Sequence, residues 1–203
     1  MDQIKKFIID NNIQRLEDKV SLPKDEFSLY KWQAPVIQQP KHLKEYAKLI
    51  GMFDAVIEEI TVVEYPCMFG LPSIQKNSWT FEFDNPIVLI TTHGKFEITF
   101  NESSSVRISK DSIPEKFHCS IEDLARCHLQ EAFSRLIGEK ITGITVHEQT
   151  FDTADVDFTG SCGIDLPCDL PAYIKEMRLH LENGRNLSFS SDFDWGIISL
   201  IDS

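Results

Sequence analysis

Basic residues are scarce in this chain. Its 20 Lys and Arg stand against 32 Asp and Glu, for a net charge of -12 and a pI near 4.9. That deficit argues against nucleic-acid binding, which needs a basic stripe to displace counterions from phosphate. An anionic membrane surface is disfavoured for the same reason. Long apolar runs are missing too. The N-terminal MDQIKKFIIDNN holds only Phe7-Ile8-Ile9, short of the roughly 7 residues of a secretory signal core. The longest uncharged apolar stretch elsewhere is about Pro86 to Ile90, far below the roughly 20 residues of a membrane-spanning helix. Cysteines are few and odd in number, at positions 67, 119, 127, 162 and 168. A secreted disulfide framework is denser and usually even, so the expectation is a cytoplasmic protein with reduced thiols. No phosphate loop, dinucleotide fingerprint, GxSxG, HExxH or kinase signature occurs. Their absence removes the common cofactor classes, and no cofactor is expected. It leaves enzymatic activity open, with the balance against it.

What is present is an ordinary globular content: 203 residues, 42% of them apolar. A chain of that length buries roughly 70% of its unfolded surface and folds without staples. Ile4, Phe7, Ile8, Ile13 and Leu16 recur at helical spacing and predict helix over residues 1 to 20, broken near Asp10-Asn11-Asn12. Three prolines (Pro23, Pro35 and Pro40) predict an irregular connection over 21 to 40. Pro40 then suits the first turn of a helix with Leu43, Tyr46, Ala47 and Ile50 on one face and Gly51 as its cap. A second helix is expected from the Ser120 N-cap and Asp123 to Gly138, with Ile121, Leu124, Ala125, Leu129, Ala132 and Leu136 sharing a face. Two hairpins follow from alternation. One turns at His93-Gly94, with Phe96, Ile98 and Phe100 inward. The other turns at Asn183-Gly184, between Met177-Leu179-Leu181 and Leu187-Phe189.

These elements recur in order. Lys48-Leu-Ile-Gly51 is matched by Arg135-Leu-Ile-Gly138, Ile60-Thr-Val by Ile144-Thr-Val, and the turn at Gly94 by that at Gly184. The offsets are 87, 84 and 90 residues. The fold expected is α+β: a helical leader and linker over 1–40, then two related units of helix and antiparallel sheet over 41–115 and 116–203, an internal duplication. The second hairpin strands need a one-residue shift to align. Residues 1 to 46 carry 8 bases and 7 acids, so the acidity belongs to the part that follows.

Candidate chemistry is thin. Cys119 precedes a helix start, where thiolates are favoured. With His147 it makes a weak Cys/His hydrolase pair, whose site would lie in a cleft between the units. It lacks a Gly-rich elbow, and a small buried filler residue is the simpler reading. His118, Cys127 and His128 are weak metal candidates, because adjacent helical residues diverge by about 100° and the spacing misses compact zinc sites. Asp152, Asp155 and Asp157 miss the calcium-loop spacing, and the alternation of Ala154, Val156 and Phe158 fits a strand with Asp155 and Asp157 on its wet face. Between Lys140 and Lys175 there are six acids and no base. Such a local field steers basic partners. Asp192 and Asp194 alternate with Phe193 and Trp195. They offer either an interaction edge or a last strand with Phe193, Trp195 and Ile197 inside. The expectation is therefore a protein-binding module, immunity- or inhibitor-like in character. It would present Asp152, Asp155, Asp157, Asp192, Asp194 and Trp195 to a basic protein. A small-molecule binder or Cys/His hydrolase is the alternative.

Overall fold

A computed structural model describes residues 2–23, 25–63, 73–74, 78–83, 85–100, 105–126, 128–149, 173–192 and 195–201. The architecture is mixed α+β, with two six-stranded sheets and every strand pairing antiparallel. In chain order the elements are α1 (Gln3–Asp10), β1 (Arg15–Leu22), β2 (Asp25–Ile37), α2 (Pro40–Leu49), β3 (Ile57–Val62), β4 (Ser73–Ile74), β5 (Trp79–Phe83), β6 (Ile87–Thr91), β7 (Gly94–Phe100) and β8 (Val106–Lys110). They continue with α3 (Ile121–Arg126), α4 (Leu129–Ser134), β9 (Ile141–Gln149), β10 (Tyr173–Leu181), β11 (Asn186–Asp192) and β12 (Trp195–Ile201). The first sheet runs β1-β2-β8-β7-β6-β3 and the second β4-β5-β12-β11-β10-β9. One apolar cluster draws on both, including Leu89 and Phe96 from the first and Leu179 and Phe189 from the second. Among the described residues no helix is long and apolar enough to cross a membrane.

The two sheets share a strand plan. Each starts at an edge strand that follows helix, continues through a three-strand meander, and ends in a hairpin from elsewhere in the chain. Ile57, Glu59, Ile60 and Val62 pair with Thr91, Ile90, Leu89 and Ile87. Ile141, Gly143, Ile144 and Val146 pair with Leu181, His180, Leu179 and Met177. Both edge strands skip one residue at the same place, Glu58 and Thr142, a matching β-bulge. The halves meet through reciprocal bonds. Ile57 N–H donates to Glu139 C=O and Ile141 N–H to Ala55 C=O, while Asp54 N–H donates to Ile141 C=O and Gly138 N–H to Ile57 C=O.

Several sequence expectations need correction. Helix ends at Asp10, and residues 15–37 form a long hairpin rather than a helix end and an irregular linker. Trp32, Ala34 and Val36 alternate inward on β2, and the edge pairing with β1 tolerates Pro35. The β1–β2 hairpin joins the first sheet, and the β4–β5 hairpin joins the second. The expected single helix after Ser120 is two helices, broken where His128 takes a left-handed φ of 59°. Ile121 of its supposed apolar face is 57% exposed. On β12 the inward residues are Ile198 and Leu200, paired with Phe189 and Leu187, so the parity is opposite to that expected. The two hairpin turns lie where expected, and α2 with its Gly51 cap does too.

The first sheet is buried on both faces. Hairpin β1–β2 and the 111–117 segment cover its outer side with Val20, Trp32, Ile113 and Phe117. Glu97 is sealed there at 0% exposure. One carboxylate oxygen accepts from Ser109 Oγ (2.5 Å), and the other accepts from the backbone N–H of Ser112 and Ile113 (2.8 and 3.0 Å). Trp32 Nε1 donates to the same Ser109 hydroxyl at 2.8 Å. Arg107 ties the hairpin down, donating to Asp18 and to Leu16 C=O while its guanidinium lies over Trp32.

Gly94 illustrates how tightly these turns are specified. Its φ is +110°, and a Cβ there would lie 2.7 Å from the Asp111 carboxylate, which holds the Lys95 N–H. Gly94→Ala is expected to cost about 2–3 kcal/mol, from left-handed strain plus the collision. Gly138→Ala, at φ +86° with open space around it, should cost only about 1–2 kcal/mol. Urea unfolding of both variants checks the order, and equal losses would rule out the collision.

Candidate functional site

Among the described residues, an apolar indentation lies between β3 and the broken helix pair. Its volume is about 250 Å³. Ile60, Leu124 and Phe133 form its buried surfaces and Ile121 and Ile137 its exposed ones. Glu58, Glu59, Gln130 and Ser134 complete the lining. Drug-sized ligand sites run about 300–1,000 Å³, so this notch suits a side chain better than a whole ligand.

Local sequence explains its shape. Ser120 starts α3: its Oγ accepts from Asp123 N–H (3.2 Å) and donates to the Asp123 carboxylate (2.7 Å). The left-handed turn at His128 then redirects the chain into α4, leaving Ile121 and Ile137 in solvent at 57% and 47% exposure. On β3 the bulge at Glu58 lets two successive glutamates face water between buried Ile57 and Ile60. Neither carboxylate has a hydrogen-bond or ion-pair partner among the described residues. The notch is closed at both ends. Residues 55–57 pair with 139–141 at one end, and Cys119 N–H donates to Val62 C=O at the other.

The sequence-derived candidates scatter. Cys119 is buried in the main apolar cluster beside β3. His147 lies exposed on β9 of the other sheet, its Nε2 3.8 Å from the Glu176 carboxylate. The structure therefore does not pair them through any hydrogen bond among the described residues. His118 is half-buried and its pKa is pushed down, first by that burial and then by Lys95. His128 is exposed at the helix break. Among the described residues no three His, Cys, Asp or Glu side chains converge as metal ligands. Cys127, Asp152, Asp155, Asp157 and Asp194 lie outside the described residues. Asp192 and Trp195 pair across the end of β11 and β12.

A polar network on the outer face of the second sheet was not read from the sequence. Glu176 holds Arg178 through Nε and Nη2 at 2.8–3.1 Å and accepts from Ser188 Oγ. His180 is bonded on both ring nitrogens, to Thr145 Oγ1 at 2.6 Å and Asn186 Oδ1 at 2.7 Å. The signal was the alternation of Glu176, Arg178 and His180 with Met177, Leu179 and Leu181, read only for its apolar half. These groups largely satisfy one another, as a half-buried sheet face requires. No protein-family model matches the chain, and no curated protein or solved structure does either.

Proposed function

We propose that this chain is a protein-binding module, inhibitor- or immunity-like, that offers an acidic surface to a basic partner. One observation carries it: acids outnumber bases by 12, and eight of the chain's 20 bases are already held by its own acids. Lys6, Lys31, Lys95, Arg107, Arg126, Arg135, Lys140 and Arg178 all stand within ion-pair distance of an Asp or Glu. Against a net charge of -12, what remains to face a partner is negative. Each surface pair adds little stability, but the residual field raises association rates with cationic surfaces. The base-free interval with Asp152, Asp155 and Asp157 concentrates that charge, and Asp192, Asp194 and Trp195 extend the proposed surface. The matched bulges, the shared register and the reciprocal bonds around Ile57 and Ile141 support reading residues 41–115 and 116–203 as an internal duplication. The odd, sparse cysteines support a cytoplasmic setting.

Affinity capture on the immobilised protein, followed by reconstitution with the purified partner, tests this reading. A partner held at about 50 mM salt should be released at about 500 mM, where screening shortens to a few Å. The triple change Asp152→Asn, Asp155→Asn, Asp157→Asn should slow association roughly tenfold. Binding indifferent to both salt and the triple change sinks the proposal.

A further inference from the structure

We infer that the notch between β3 and helices α3 and α4 seats one large apolar side chain from a basic segment of the partner protein. This rests on the acidic-surface reading above and adds an apolar anchor to it.

Three observations converge on that occupant. The first is size: about 250 Å³ with apolar walls accommodates one large apolar side chain rather than a folded element. Interface energy concentrates in such anchors seated in desolvated pockets. The second is closure. The chain's own backbone seals both ends of the β3 edge, at residues 55–57 and at Val62. The open run between the seals is residues 58–61, about 13 Å at strand rise. That is too short for a partner strand to add along it, so recognition falls to a side chain pointing in.

The third observation is charge, and comparison of the two sheets sharpens it. Glu58 and Glu59 occupy the bulge of β3; at the matching bulge of β9 stand Thr142 and Gly143. The bulge and its register therefore do not require acids. On the β9 side the ten-residue α2 packs against the strand, whereas on the β3 side the helix breaks at His128 and leaves isoleucines in water. The departures from the common plan, two acids without a partner among the described residues and an apolar patch that no described residue covers, fall at one place. The two arginines of α3 and α4 are already engaged, Arg126 with Asp123 and Arg135 with Glu131. The rim thus presents carboxylates, and the matching flanks on the partner are Lys or Arg.

The test uses the full chain and two synthetic peptides of identical Lys and Arg content. One carries a central Leu, and the other has Ser in its place. Binding is measured at low salt, with methyl NMR of Ile60, Ile121 and Ile137 as the positional readout. Burying one such anchor is worth roughly ten- to a hundredfold in affinity. The Leu peptide should therefore bind tighter by that factor and shift all three methyls. The double variant Glu58→Gln, Glu59→Gln should weaken it severalfold. Equal binding of both peptides, released by salt and without methyl shifts, overturns the notch while leaving the acidic-surface reading intact. Failure of both peptides to bind at low salt overturns both. If the double variant binds the Leu peptide as tightly as the parent, the acidic rim plays no part and the basic character of the occupant is refuted.

Discussion

Glu97→Ala is expected to lower folding stability by about 3–5 kcal/mol, because it orphans three buried donors at once. The Ser109 hydroxyl and the Ser112 and Ile113 N–H groups all end on this carboxylate. Glu97→Gln keeps the shape and an acceptor for the two backbone donors, so its cost should be about 1 kcal/mol. The pair of variants separates loss of the side chain from loss of the charge. Burial pushes the Glu97 pKa up, while the Ser109, Ile113 and Ser112 hydrogen bonds pull against it. A folded pKa above the unfolded value means that the folded state binds more protons in that interval. Stability from this group is thus full below the unfolded pKa and is lost as pH rises through the folded one. Urea unfolding from pH 4.5 to 8 should show the parent losing more stability with rising pH than Glu97→Gln does. Parallel pH profiles for the two proteins would mean that Glu97 carries its charge unperturbed.

Where the sequence was legible, local chemistry was decisive. Gly51, Gly94, Gly138 and Gly184 all adopt positive φ, as helix caps and hairpin turns require. Asn183-Gly184 with alternating neighbours located its hairpin outright. The errors have a common cause, which is that tertiary partners outweighed local pattern. Leu16 and Ile13 fit a helix by spacing, yet the hairpin pairing of Arg15–Leu22 with β2 claims that segment. Prolines made β2 look irregular, although Pro35 stands opposite Arg15 at the end of the β1 pairing and just before the β8 pairing begins at Val36. Glu97 looked like the wet side of a half-exposed strand. Nothing local announces that a second layer covers it. The notch was missed because it depends on a left-handed His128 and on a bulge at Glu58, neither of which has a composition signal.

Phe133→Ala should cost about 3 kcal/mol, the low end for losing a buried phenyl, because the cavity opens into the notch instead of remaining sealed. The ring is 3% exposed, with its centroid 5.9 Å from that of Trp79 and 5.4 Å from that of Phe81. Such aromatic pairs add about 0.5–1.5 kcal/mol each beyond burial. Phe133→Leu preserves most of the volume and should cost about 1–1.5 kcal/mol, leaving a folded protein in which binding can be read. In that variant the notch gains space beside Ile60 and Leu124. The apolar peptide should then bind severalfold more weakly, while the serine peptide is unaffected, since no charge has changed. Denaturation and peptide titration of the same variant thus bear on one residue from two sides. A stability loss under about 1 kcal/mol for Phe133→Ala would contradict its place in the Trp79–Phe81 stack. Equal weakening of both peptides by Phe133→Leu would point to a disturbed surface rather than a reshaped pocket. Phe133 belongs at once to the apolar cluster shared by both sheets and to the lining of the notch, so one ring couples core packing to the shape of the notch.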